Sequence, residues 1–187
     1  MGRMFIAVVP EGPAENNEIM QLMGKLRRTT SERTKEVRWT PSELWHVTVQ
    51  FLGEVGSQGA RLREVFADLP MPQTKLILRL HGFGAFPTPE EARVLWMGVQ
   101  ENQAFLQYQQ DISSMLESNG FALGERDFKP HLTLARFRNV TSVSDLLRLG
   151  GRKHFGDYPV KELILFESVL QGNIVKYVPI LRRAIPF

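Results

Sequence analysis

His46-Val47-Thr48-Val49 and His131-Leu132-Thr133-Leu134 spell one pattern twice: histidine, apolar residue, threonine, apolar residue. The chain has four histidines in 187 residues, and two of them fall in this frame. Each copy lies in an apolar, β-prone stretch, residues 45–53 and 130–136. In a strand, alternate residues share a face. The pattern therefore puts an imidazole and a hydroxyl on one side and two apolar side chains on the other. One histidine on a strand is an ordinary structural residue. A matched pair of such strands, each polar on one face, reads as the two walls of a site.

Working outward, residues 3–9 read as a buried strand ended by Pro10, and residues 15–33 carry Ile19, Leu22, Met23 and Leu26 at helical spacing. A short extended piece, Val37-Arg38-Trp39, precedes the first motif strand. Residues 60–69 form a helix stopped by Pro70 and Pro72. Strands are expected over 75–80 and 93–99, with a loop over 82–89 because two glycines and two prolines fall there. Residues 103–118 read as a helix closed by Asn119-Gly120. Ser142 is expected to cap a helix that ends at Gly150-Gly151. Strands over 160–169 and 174–181 flank the hairpin signal Gln171-Gly172-Asn173.

Both motif strands follow a long helix at similar places in the two halves. The expectation is an α+β fold, a single domain over residues 1–187. It would be bilobal, two pseudo-symmetric lobes each with an antiparallel sheet and outer helices, and an active-site cleft between the sheets.

Composition limits the chemistry. With no cysteine there is no disulfide, thiolate metal site or cysteine nucleophile. The six-residue apolar run at Met4–Val9 is too short for a secretory core, and no run reaches membrane-spanning length. A cytoplasmic protein with no membrane partner is expected, and a monomer. Net charge is +3, with arginine outnumbering lysine sixteen to seven. That balance suits an anionic partner such as RNA and equally a solvated surface.

Two histidines and two threonines facing one another suit phosphoryl transfer. Opening a cyclic phosphodiester requires a base for water on one side of phosphorus and an acid for the departing oxygen on the other. Histidine titrates near 6.5 and can do either. Threonine hydroxyls can donate to the non-bridging oxygens. No carboxylate stands at ligand spacing beside either histidine, and no H-E-x-x-H pattern is present, so no metal and no other cofactor is expected. His81 and His154 lack the pattern and read as structural or solvent-facing.

The paired motif with its flanks resembles the 2H phosphoesterase superfamily, and within it the RNA 2′,3′-cyclic phosphodiesterases, historically called 2′-5′ RNA ligases. The likeness runs through Arg3–Ala7, Val37–Trp39, His46–Gly53, Gly84–Pro87, Arg93–Trp96, Gly120-Phe121, Arg126–Phe128 and Pro130–Arg136. It implies metal-independent opening of 2′,3′-cyclic phosphate ends of RNA or nucleotides to 2′-phosphates. It makes His46 the proton donor and His131 the acceptor, with Thr48 and Thr133 holding phosphate. Gln50 stands where many relatives have lysine, which would remove a charge near the site mouth. Phe51 and Arg136 each lie five residues after a motif histidine. Strict alternation would turn them away. Their matched position suggests that both strands bulge and return them to the site, Phe51 against a base and Arg136 against phosphate or base.

Two other readings compete. The same site could hold a nucleotide phosphate without turnover, as a sensing module. It could also run in reverse as a 2′-5′ RNA ligase, joining a 5′-hydroxyl to the cyclic phosphate.

Overall fold

The computed structural model describes residues 2–31, 36–100, 102–124, 128–172 and 174–186. The expected end of the first helix beyond residue 31, Arg126-Asp127 of the family-like stretch, and Asn173 of the hairpin turn lie outside the described residues. In chain order the elements are β1 (Arg3–Pro10), α1 (Asn17–Ser31), β2 (Val37–Trp39), β3 (Val47–Gly53), α2 (Gly59–Asp68) and β4 (Ile77–Phe86). There follow β5 (Ala92–Val99), α3 (Gln103–Ser118), β6 (His131–Thr141), α4 (Ser144–Gly150), β7 (His154–Gln171) and β8 (Ile174–Ala184).

The helices form where apolar spacing and caps agree. α1 buries Ile19, Met23, Leu26 and Thr30 along one stripe. The Asn16 side-chain oxygen accepts from the Glu18 and Ile19 amides at 3.0 and 3.2 Å. Asn102 does the same for α3, accepting from Ala104 and Phe105. Ser142 does not cap α4. That helix starts two residues later, after Val143, and has no side-chain cap. Val143 is buried, so packing sets the start.

The α+β class with antiparallel strands is as expected. The strands of the two halves share hydrogen bonds in one eight-stranded sheet, ordered β1-β3-β6-β5-β4-β7-β8, with β2 added beside β6. β7 serves both halves. Residues 154–159 pair with β4, and residues 160–168 pair with β1. The order therefore closes on itself.

One face of the sheet packs against the helices. Met4, Ile6 and Val8 of β1 enter this main core with Val47, Val49, Leu132 and Leu134. Phe66, Phe105 and Ile112 come to it from the helices. The other face carries a smaller cluster, Phe5, Ala7, Ile164 and Phe166, with Val9 and Tyr177 beside it. β1 alternates cleanly between the two.

Two stretches depart from expectation. Residues 82–86 are strand rather than loop. Gly82 takes a φ of +50° as the extra residue of a bulge, and Gly84 is covered by the Trp96 indole. These glycines mark close packing, not a turn. β7 begins at His154 rather than residue 160, because its first six residues complete the sheet beside β4.

Candidate active site

The motif strands lie next to each other. β3 and β6 run antiparallel and meet at Val47 and Leu132, both fully buried. These are the second residues of the two motifs, so the motifs cross there with an approximate twofold relation. His46, Thr48, His131 and Thr133 are half-buried on the face away from the main core, where strand alternation puts them.

Each histidine is held the same way. His46 Nδ1 donates to the Leu44 carbonyl at 2.7 Å, and His131 Nδ1 donates to the Lys129 carbonyl at 2.7 Å. A carbonyl can only accept, so Nδ1 carries the proton in both rings. In the neutral rings Nε2 is then the lone-pair nitrogen. A backbone carbonyl two residues upstream thus fixes tautomer and orientation together.

The two rings have different neighbours. His46 is surrounded by Phe5, Phe166 and Tyr177, with ring centres 5.2, 5.7 and 5.2 Å away. His131 contacts Phe86 and Trp96 at 5.0 and 5.8 Å. The Lys129 ammonium lies over the same two aromatic rings. Burial pulls the His46 pKa down to about 4, against the opposing pull of the Leu44 bond. Arg136 and His131 add to the depression. Burial also lowers His131, again opposed by its carbonyl bond and reinforced by Arg136 and Lys129. Arg136 therefore stands within electrostatic range of both rings.

Both strands bulge at the fourth motif residue. Ile6 and Ala7 pair with Gln50 and Thr48, leaving Val49 as the extra residue of β3. Leu95 and Trp96 pair with Ala135 and Thr133, leaving Leu134 extra in β6. An extra residue reverses the alternation beyond it. Phe51 is consequently opposite Phe5, which touches His46, and is 42% exposed. Arg136 is opposite Val94, exposed, on the side of His131 and Thr133. Gln50 goes the other way. Its side-chain oxygen accepts from Ser113 at 2.8 Å and Gln109 at 3.4 Å on α3, so it ties strand to helix instead of standing at the site mouth.

The aromatic surroundings were missed by sequence reasoning. Phe5 lies in the alternating first strand, but only the pairing of β1 with β3 and β7 shows that it touches His46. Lys129 had a signal, its place two residues before a motif histidine. Among the described residues, no group of three or more His, Cys, Asp or Glu side chains comes together to hold a metal. No helix among them is long and apolar enough to cross a membrane.

A model of the 2′-5′ RNA ligase superfamily matches residues 13–167. The chain is 34% identical to an Archaeoglobus fulgidus RNA 2′,3′-cyclic phosphodiesterase, over 93% of this chain and 96% of the relative. It is 33% identical to an Aeropyrum pernix protein of the same name, over 82% and 90%. In fold it resembles a Thermus thermophilus protein, TM-score 0.73 at 22% identity, covering 98% of this chain and 97% of that one. It also resembles Escherichia coli LigT crystallised with 3′-AMP, TM-score 0.68 at 21% identity, covering 98% of each chain.

Proposed function

The chain belongs to the 2′-5′ RNA ligase superfamily, and from that premise we propose that it hydrolyses 2′,3′-cyclic phosphate ends of RNA or nucleotides to 2′-phosphates, using His46 and His131 without a metal. The observation that carries this is the mirrored pair of imidazoles, each with Nδ1 tied to a carbonyl and Nε2 left for chemistry. The relatives' shared name supports the substrate class.

The cyclic phosphate lies between the two rings. His131 Nε2 takes a proton from water as it attacks phosphorus. The P–O3′ bond breaks, and His46 Nε2–H delivers a proton to the departing 3′ oxygen. Thr48 and Thr133 donate to the non-bridging oxygens, and Arg136 holds the anion. Phe51 offers an apolar ring against which a base can stack. The donor role of His46 comes from the family resemblance, and it makes a demand. With a pKa of about 4 the free ring is neutral at pH 7. The bound diester must supply the negative charge that favours imidazolium.

The near-twofold crossing of the motifs supports one domain of two similar lobes around this site. Ligation uses the same acid and base in reverse. Water at bulk concentration favours hydrolysis, so joined product is expected to be minor.

The test is product analysis on an RNA ending in a 2′,3′-cyclic phosphate, with chelator present. A 2′-phosphate is expected. His46→Ala and His131→Ala should each lower kcat by about 10²–10⁴-fold. Loss of activity with chelator, a 3′-phosphate product, or near wild-type turnover by either variant would refute the reading.

A further inference from the structure

The face that carries His131 continues across two more strands. Gly98 of β5 is opposite His131, and on its other side it is opposite His81 of β4. A Cβ at Gly98 would meet His81 Nε2 at 3.3 Å and Cε1 at 3.4 Å. That Cβ would point to the His131 face and would come 2.8 Å from the His81 backbone oxygen, so the bare backbone at Gly98 makes room for the neighbouring strand, with the His81 ring packed beside it on the same face. The two histidines are two strand spacings apart, roughly 10 Å between backbones.

His81 is half-buried, and among the described residues its ring makes no hydrogen bond, ion pair or ring contact. The mechanism above does not use it. Beyond it on the same face, Arg79 is bound to Asp157 through Nε and Nη2 at 2.9 and 3.1 Å. His154, opposite His81, bonds the same carboxylate at 2.7 Å. Asp157 thus fixes two nitrogen-bearing side chains beside His81, and its own charge is matched by Arg79.

We propose that His81 forms, with Arg79, a second phosphate subsite that receives the 5′-phosphate of the nucleotide bearing the cyclic end. The inference rests on the activity proposed above and narrows its substrate. A phosphate there exists in an RNA chain and is absent from a nucleoside cyclic phosphate. The unpartnered imidazole N–H and the Arg79 Nη1, the nitrogen that Asp157 does not engage, are suited to a phosphate oxygen. With no side chain at Gly98, nothing from β5 stands on this face between His81 and His131.

The experiment compares one nucleoside 2′,3′-cyclic phosphate with and without a 5′-phosphate, in wild-type protein and His81→Ala. Wild-type kcat/KM should be about tenfold higher with the 5′-phosphate, from one charge-assisted hydrogen bond. The ratio should fall toward one in the variant. His81→Gln, which keeps an N–H donor, should restore part of it. A wild-type ratio near one, or a ratio that survives His81→Ala, overturns the subsite while leaving the activity standing. Failure of the wild-type protein to turn over either nucleotide, while it opens a cyclic-phosphate-ended RNA, overturns the subsite alone. Failure on that RNA as well refutes the activity itself, and the subsite with it.

Discussion

At the residue scale, the four motif side chains are legible because chemistry restricts them. Position three must be a small hydroxyl beside the imidazole, and positions two and four must be apolar to enter the core. The tautomer is not legible. It depends on where the chain turns two residues earlier, which places the Leu44 and Lys129 carbonyls against Nδ1. Arg136 links the two rings. Its charge disfavours imidazolium at both. The proposed reaction needs His46 protonated and His131 neutral, so kcat/KM should follow a bell whose limbs belong to the free protein. Both pKa values are below the ordinary 6.5, which puts that optimum on the acid side of 6.5. Removing the guanidinium in Arg136→Ala should move both limbs to higher pH while weakening binding. Steady-state rates across a pH range of about 4–8 check this. Limbs that stay in place in the variant would show that Arg136 does not act on the rings.

At the element scale, strand and helix types were largely readable, while the bulges that orient side chains beyond them were readable only through the repeat. Nothing local at Val49 or Leu134 signals an extra residue. The matched spacing of Phe51 and Arg136 does, because two strands under the same demand break register at the same place. Glycine misled the reading of residues 82–86, since composition cannot separate a turn from a close approach. Gly84 is the second kind. A Cβ there would be 2.1 Å from the Trp96 indole, whose ring touches His131. Gly84→Ala should therefore push Trp96 off the strand and disturb His131. Overpacking of this kind costs roughly 1–3 kcal/mol. The expected result is a lower denaturant midpoint together with reduced kcat. A variant with wild-type stability and rate would show that Trp96 is not held against this backbone.

At the scale of the whole molecule, closure of the sheet through β7 could not be read in advance. It depends on a strand long enough to pair with β4 at one end and β1 at the other. That closure brings Phe166, on β7, against His46. The consequence is a global sensitivity to acid. In the folded chain His46 has a pKa of about 4, and in the unfolded chain about 6.5. The unfolded state therefore binds the proton more readily, and stability rises with pH through this window. The contribution is fully present above pH 6.5 and is lost as pH falls toward 4. Linkage over about two and a half pH units predicts a loss of about 2 kcal/mol between pH 7 and pH 5 from His46 alone. His131, lowered in the same direction, adds to it. Ordinary carboxylates titrate below this range, so they contribute little there. Urea midpoints measured at pH 7 and pH 5 should differ in the wild-type protein. His46→Asn, which cannot take up the proton, should narrow that difference. If it leaves the difference unchanged, the aromatic surroundings of His46 do not resist its charging, and the neutral free-state ring on which the proposed proton cycle rests would have to be abandoned.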